Sequence, residues 1–281
     1  MNISLGHSPD PDDAFMFYAM AAGKISLGPY HFEHILQDIQ TLNERAGRGE
    51  LDVTAVSIHA YAHLTRDYAL MPCGASMGDN YGPMIVSRRP LIPRCELPGL
   101  RFAVPGTLTS AFLALQLFLG RPAGDIDFVV VPFDRIFDAL REGRADAGLI
   151  IHEGQLTYQE EGFHLNEDLG AWWFQETKGL PLPLGGNVIR KALGPDHCRA
   201  ITRIVQESIR YGLEHRRDGV RHALPLGRGL DEARADRFIG MYVNELTVDY
   251  GERGRAAIRE FLGRAHQRGL IPEPVELEFV A

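Results

Sequence analysis

The segment Ala147–Tyr158, AGLIIHEGQLTY, places a histidine where an apolar run ends. Such a run is typical of a strand buried on both faces, and ligands of α/β sheets bind at the carboxyl ends of strands. Because free imidazole exchanges a proton near neutral pH, His152 is suited to act as a general base. A lone histidine is more often structural, but the adjacent Glu153 and the nearby Thr157 and Tyr158 favour chemistry here.

A second segment, VPGTLTSAFLALQLFL, has the features of an anion site. A strand and a Pro-Gly turn lead to Thr107 and Thr109, and an apolar helix follows. No acidic residue occurs before Asp125, so the dipole and first N–H groups of this helix are not compensated. The pattern favours a bound carboxylate or phosphate, although an ordinary N-cap at Thr109 explains the same residues.

The acidic segment SPDPDDAFMF follows the first predicted strand. Asp10 fits an N-cap and Pro11 the first helical position, while Asp12 and Asp13 complement the helix dipole. Capping alone explains the three acids. Ser8 and Asp10 nonetheless lie at the end of a strand, where a binding site is expected, but this helix start is a poor place for an anion.

The segment SIHAYAH places His59 and His63 four residues apart, on one face of a helix. This is the spacing of a zinc-binding pair, but Ala60 stands where the zinc-protease motif has glutamate. No third ligand is identifiable, so we favour packing or site-lining histidines over a metal. Ser57 begins this helix, either as an N-cap or as a hydroxyl that faces the ligand.

Two further segments carry weaker indications. CGASMGDNYGP has three glycines and Asn80 after a strand, which suits either close approach to a ligand or a plain loop; a phosphate-binding P-loop pattern is absent. Trp172 and Trp173 diverge by about 100° on a helix. One of them is therefore expected in the core while the other covers a flat ligand, unless both belong to the core.

Short apolar runs alternate with helical patterns, which predicts βαβ units and a largely parallel sheet. A Pro-rich connection within residues 82–99 separates a first α/β unit from a second, and helices dominate after residue 190. Two α/β lobes joined by two strands, with a ligand cleft between them, are the simplest solution. We assign residues 1–86 and 188–281 to a larger lobe with the C-terminal helices, and residues 87–187 to a smaller lobe.

Composition excludes several classes. The 29 basic and 37 acidic residues give a net charge of −8, which argues against nucleic acid as the main partner. Cys73, Cys95 and Cys198 lack CxxC spacing, so neither a disulfide framework nor a cysteine zinc site is expected. Without a signal-peptide pattern or a membrane-spanning run, the protein is expected in the cytoplasm.

Four segments, in this order, resemble the 1,4-dihydroxy-6-naphthoate synthase family of the futalosine route to menaquinone. They are HSPDPDDAFMFYAM, VPGTLTSAFLALQLF, AGLIIHEGQLTY and DLGAWWFQETKGLPLPLG. The resemblance implies a type II periplasmic-binding-protein fold used as a cytoplasmic lyase, without metal or organic cofactor. Its implied partner is a small anionic aromatic substrate, cyclic dehypoxanthinyl futalosine, rather than nucleic acid or membrane, and we allow for a homodimer.

The resemblance also assigns residue roles. His152 would be the general base that starts carbon–carbon cleavage, with the gain of aromaticity driving the reaction. The backbone at Thr109 and Ser110 would hold a ligand carboxylate, and Ser57 would line the site. The complete set of candidate substrate-binding residues is Thr109, Ser110, Ser57, Thr107, Ser8, Asp10 and Asn80.

The chain departs from the family pattern at a few positions, and two alternatives stay open. The family often has SPCPNDTF at residues 8–15 and serine at Gly154, and Lys178 interrupts its last motif. A transporter's solute-binding protein shares the expected fold, but the absent signal peptide and the base-like His152 count against it. The sister chorismate dehydratase is disfavoured by the Asp-Pro-Asp-Asp start and the IIHEGQLTY run.

Overall fold

A computed structural model describes the whole chain, residues 1–281, as alternating strands and helices. The strands are β1 (Asn2–His7), β2 (His31–Leu36), β3 (Val53–Ser57), β4 (Tyr68–Leu70), β5 (Ser76–Gly78), β6 (Met84–Ser87), β7 (Phe102–Val104), β8 (Phe128–Val130), β9 (Ala147–Ile150), β10 (His164–Asp168) and β11 (Leu182–Arg190). The helices are α1 (Pro11–Met16), α2 (Tyr18–Ala21), α3 (Ile39–Gly47), α4 (Ile58–Tyr61), α5 (Ser110–Leu119), α6 (Ile136–Arg141), α7 (Gly154–Thr157), α8 (Leu169–Glu176), α9 (Pro195–Glu214), α10 (Arg216–Ala223), α11 (Glu232–Tyr242), α12 (Glu245–Val248) and α13 (Gly251–Gln267).

The chain forms two compact units whose boundaries differ from the predicted ones. The first contains residues 1–77, 184–255 and 275–281, and the second contains 78–183 and 256–274. Residues 78–86 therefore belong to the second unit, because β6 pairs with β9 and β10 of that unit's sheet. The greater part of α13 belongs there too, since Phe261 packs edge-on against Trp173 with ring centroids 5.4 Å apart.

The sheet of the first unit is mixed, whereas the sequence predicted a largely parallel one. Its order is β2-β1-β3-β11-β4, and β5 pairs with β11. Strand β1 lies parallel to β2 and β3, as alternation of strands and helices requires. Strand β11 runs antiparallel to both β3 and β4, and it enters this sheet after the chain has passed through residues 78–183 of the second unit.

The second unit has a five-stranded sheet of order β10-β6-β9-β7-β8. Strand β7 lies parallel to its neighbours β8 and β9, while β6 is antiparallel to β9 and β10 is antiparallel to β6. Strand β10 has the sequence HLNED and was not predicted. It lies at the sheet edge and is largely exposed, so it lacks the apolar run that marks an interior strand.

The two units bury their apolar faces in different ways. Helix α5 is apolar nearly all round and is buried on every side, whereas α9 is amphipathic and buries one stripe, which includes Ile201, Val205 and Ile209. Pro195 starts α9 at the position where a missing N–H costs nothing. None of the helices combines the length and the apolar character that crossing a bilayer requires.

Gly170 lies where helix α8 begins, against the backbone of Tyr81 and Gly82. A Cβ added to Gly170 would lie 1.9 Å from the Tyr81 carbonyl oxygen and 2.5 Å from the Gly82 nitrogen. Because both neighbours are backbone atoms, we expect Gly170→Ala to lower the free energy of unfolding by about 3 kcal/mol or more. Thermal or denaturant unfolding measures this.

The matched control is Gly263→Ala in α13 of the same unit. A Cβ there meets no atom within 4 Å, so we expect stabilisation by about 0.5–1 kcal/mol from helix propensity. Equal effects of the two substitutions would contradict the close packing of Gly170.

Candidate active site

In the second unit, the candidate residues follow adjacent parallel strands. Strand β7 lies between β8 and β9, with Phe102 opposite both Phe128 and Ala147. The carboxyl ends of the three strands therefore lie at one edge of the sheet, which is where ligands of α/β units bind. Thr107, Thr109 and Ser110 come after β7, and His152 comes after β9.

His152 occupies a left-handed backbone conformation with φ +57°. This is uncommon for a residue other than glycine, although histidine tolerates it better than most. The carbonyl oxygen of His152 accepts a hydrogen bond from the Gln155 N–H at 3.1 Å, which starts the turn into α7. The imidazole packs edge-on against Phe133, with ring centroids 4.5 Å apart. Backbone conformation and ring packing thus fix the direction of a half-buried imidazole.

The start of α5 has the capping that the more conservative interpretation predicted. The Thr109 hydroxyl oxygen accepts from the Phe112 N–H at 3.2 Å and donates to the Gly106 carbonyl at 2.8 Å. Thr109 and Ser110 are each 2% exposed, while Thr107 is exposed. The first turn contains no acidic residue, so its dipole still favours an anion. That the backbone at Thr109 and Ser110 binds a carboxylate stays a prediction.

In the first unit, Ser8 and Ser57 likewise lie at the carboxyl ends of neighbouring parallel strands. Strands β1 and β3 are parallel neighbours with Leu5 opposite Val53, so the segments that follow them share one edge. Ser57 ends β3 and is 3% exposed. It occupies the N-cap position of α4, but its side chain makes no capping hydrogen bond.

Asn43 on α3 forms two hydrogen bonds with Ser57, and sequence analysis did not identify Asn43 as a candidate site residue. Its Nδ2 donates to the Ser57 hydroxyl oxygen at 3.1 Å, and its Oδ1 accepts from the Ser57 N–H at 2.8 Å. Asn43 is 1% exposed. Its only sequence signal is a polar residue beside Leu42 in an otherwise amphipathic helix, which does not identify its partner.

Asp10 occupies the predicted N-cap position of α1, followed by Pro11, but its carboxylate does not cap the helix. The side chain instead accepts from the Ser8 hydroxyl and from Nη1 of Arg228, the latter at 2.7 Å. Asp13 accepts from the Ser8 N–H at 2.6 Å. Arg228 lies far along the chain, in the loop before α11, and the sequence contains no signal that pairs it with Asp10.

Asp13 is a buried carboxyl group of this turn with a raised pKa. Burial raises the pKa of Asp13 well above its usual range, and the neighbouring Asp10 charge raises it further, while the hydrogen bond from the Ser8 N–H opposes both. Arg228 supplies the compensating charge to Asp10 instead. Asp13 has no such cation among the causes of its pKa shift.

Two histidines meet next to this turn. His7 Nδ1 lies 3.1 Å from the Ser8 carbonyl oxygen, and His7 Nε2 lies 3.1 Å from His34 Nδ1. The carbonyl can only accept, so Nδ1 of His7 carries the hydrogen, and Nε2 of neutral His7 accepts from His34. Burial lowers the pKa of His7 to about 4, with His34 lowering it further while Asp10 opposes the shift. Burial also lowers the pKa of His34.

This pair predicts an acid-dependent loss of stability. The unfolded chain binds a proton at His7 near pH 6.5, whereas the folded chain binds it only near pH 4. The contribution of His7 is therefore complete above pH 6.5 and is lost as the pH falls through 4, up to about 3 kcal/mol. Urea unfolding at several pH values should show a steeper decline for the wild type than for His7→Gln. Parallel curves would contradict a neutral buried His7, whose ionisable neighbours include Asp10, His34 and His222.

The remaining candidates have plainer surroundings. Asn80 is exposed with φ +65°, so it forms a left-handed turn, and its substrate contact stays a prediction. His59 is buried and His63 is exposed, with ring centroids 6.0 Å apart. No third histidine, cysteine or carboxylate joins them into a group that could hold a metal ion.

Both tryptophans are buried, which matches the alternative that both belong to the core. Trp173 is fully buried and donates from Nε1 to the Pro181 carbonyl at 3.1 Å. Trp172 is 9% exposed and packs edge-on against Phe118 of α5, with ring centroids 5.3 Å apart. The side chains diverge as predicted, toward α13 and toward α5, respectively.

Two mixed α/β units between which the chain passes four times have the architecture of the periplasmic-binding-protein class of folds, as predicted. The alkanesulfonate-binding protein SsuA of Xanthomonas axonopodis is similar in fold, with a TM-score of 0.73 and 13% identity over 98% of this chain and 95% of that chain. A crystal structure of a protein from Archaeoglobus fulgidus is more similar, with a TM-score of 0.90 and 42% identity over 96% of this chain and 98% of the other.

Residues 3–267 match the family described as menaquinone biosynthesis, and the chain belongs to this family. Two relatives are named 1,4-dihydroxy-6-naphthoate synthase, each 38% identical to this chain. The one from Streptomyces coelicolor aligns over 96% of this chain and 95% of its own length, and the one from Thermus thermophilus over 97% of both. The similarity confirms the predicted family and the predicted enzymatic function.

Proposed function

We propose that this protein is a cytoplasmic lyase that converts cyclic dehypoxanthinyl futalosine to 1,4-dihydroxy-6-naphthoate. The observation that carries the proposal is the placement of His152 directly after β9. Its parallel neighbour β7 leads into helix α5, whose first turn contains no acidic residue. A base and an anion-binding helix start thus lie at one sheet edge. The two synthases with near full-length similarity support the same reaction.

In the proposed mechanism His152 is the general base. The imidazole takes one proton from a carbon of the bound tricyclic substrate, and the electron pair left behind forms a double bond of the developing aromatic ring. The neighbouring carbon–carbon bond breaks with its electron pair on the sugar-derived fragment, which takes up the proton carried by the imidazolium. The sugar-derived fragment leaves as the ring system becomes aromatic, which drives the reaction forward. Its fixed backbone and its contact with Phe133 hold the imidazole in one direction, so little reorganisation is needed before proton transfer.

The substrate carboxylate would bind at the start of α5. The N–H groups around Thr109 and Ser110 and the positive end of the helix dipole favour an anion there. Ser57 is suited to donate to the ligand, because its oxygen already accepts from Asn43 and its hydrogen remains to be given. The ligand cleft, the contacts of Thr107 and Asn80, and a homodimer stay predictions.

This reaction needs one base and one anchor, so we propose that it requires neither metal nor organic cofactor. The substrate is a small anionic aromatic molecule, and the net charge of −8 disfavours a nucleic-acid partner.

Turnover of cyclic dehypoxanthinyl futalosine by the purified protein tests the proposal, with the naphthoate and the released fragment followed by chromatography. We expect both products in equal amounts. Binding without products would support the alternative of a solute-binding protein. Conversion of chorismate, but not of the futalosine derivative, would support the sister dehydratase.

A further inference from the structure

A hydrogen-bonded chain in the first unit joins Ser8 to Arg228 through Asp10. The Ser8 hydroxyl donates to one oxygen of the Asp10 carboxylate, and Arg228 Nη1 donates to the other oxygen at 2.7 Å. Arg228 Nη2 also lies 3.5 Å from the Pro9 carbonyl oxygen. Asp10 is 1% exposed, so its charge is compensated by these protein groups rather than by solvent.

The direction of each hydrogen bond follows from the charges. The Arg228 guanidinium forms an ion pair with Asp10, and a carboxylate so paired offers only acceptor oxygens to Ser8. Ser8 has a single hydroxyl hydrogen, which is therefore given to Asp10. Toward any ligand the Ser8 oxygen can only accept. Ser57 is the opposite case, because its oxygen accepts from Asn43 and its hydrogen is left to donate.

We propose that Ser8 accepts a hydrogen bond from a hydroxyl group on the sugar-derived part of the substrate, and that Arg228 is the positioning residue that imposes this polarity through Asp10. The inference rests on the proposed function. A carboxylate or phosphate is excluded at Ser8, because it offers no hydrogen and would meet the charge of Asp10. Ser8 therefore selects a ligand group that carries a hydrogen, such as a hydroxyl.

Two observations support the proposal, one on the backbone of Arg228 and one on the burial of Ser8. Its backbone has φ +43°, a strained conformation for arginine, between Gly227 and Gly229. Such strain persists where the surrounding structure requires that particular side chain, and it often occurs at functional sites. Ser8 is 4% exposed, so a ligand that reaches it is enclosed, which makes a wrongly directed hydrogen bond costly.

The test compares Ser8→Ala and Arg228→Gly with the wild type in substrate KM, kcat and the Kd of the naphthoate product, which lacks the sugar-derived part. We expect KM to rise about 10–100-fold in both variants, with kcat within about threefold and product Kd unchanged. Arg228→Gly relieves the strain at φ +43° but leaves the buried Asp10 carboxylate without its cation, so its melting temperature is expected to fall and KM is measured well below that temperature. Arg228→Lys should restore part of the loss in KM.

The control is Arg221→Gln, which removes an exposed cation of the same unit that lies 3.6 Å from Glu232. It should leave KM unchanged. Two results would overturn the inference: an equal rise in substrate KM and product Kd, or a lower melting temperature of Arg228→Gly with unchanged KM. As long as the wild type still converts the substrate, neither result affects the proposed function. A wild type that neither binds nor converts the substrate, by calorimetry and turnover, would overturn both.

Discussion

His152→Ala is expected to lower kcat by about 10²–10⁴-fold while the protein still binds the naphthoate product. The range is the contribution that a positioned general base typically makes. Product binding should persist because the proposed carboxylate anchor lies on α5, after a different strand from the one that ends before His152. Single-turnover kinetics with product titration would separate the chemical step from binding.

The left-handed backbone at position 152 makes a sharper comparison possible. Alanine is disfavoured at φ +57°, so His152→Ala combines loss of the base with added strain. Asparagine tolerates this conformation and cannot serve as the base, so His152→Asn should keep the wild-type melting temperature and still lose activity. If His152→Asn retains the wild-type kcat, the base is another residue.

Trp173→Ala is expected to lower the free energy of unfolding by about 3–5 kcal/mol. The side chain is fully buried, packs edge-on against Phe261 and lies under the Arg264 guanidinium, 5.1 Å from the ring centroid. Its truncation removes the contact between α8 and α13 and leaves a large cavity. Chemical denaturation measures the loss.

The adjacent tryptophan provides a matched control for the polar part of this effect. Trp173 Nε1 donates to Pro181, whereas Trp172 Nε1 is buried and makes no hydrogen bond. Trp173→Phe should therefore destabilise by at least about 1 kcal/mol more than Trp172→Phe, because only the first substitution leaves a carbonyl without its donor. Equal losses would show that volume alone determines both.

Elements with a clear local pattern were predicted well. The apolar run before His152 forms strand β9, and the apolar segment after Thr109 forms helix α5. Errors arose where tertiary pairing decides. Residues 78–86 join the second unit because β6 pairs there, and β11 makes the first sheet mixed by running antiparallel to β3.

The candidate site divides in the same way. The positions of His152, Ser57 and Ser8 at the ends of strands could be predicted, because the end of an apolar run is visible in sequence; their roles in binding and catalysis stay predictions. Their partners could not be predicted. Asn43 and Arg228 are ordinary polar residues of helical and loop segments until the fold places them against Ser57 and Asp10.

By itself, the sequence of this protein determined its family, its alternation of strands and helices, and the positions where strands end and helices begin. These features depend on residues within a few positions of one another, so they persist in any arrangement of the chain. Only the tertiary structure decided that Asp10 binds Arg228 rather than capping α1, and that Ser8 donates inward while Ser57 accepts. A hydroxyl can give or receive, and the partner brought to it by packing determines which.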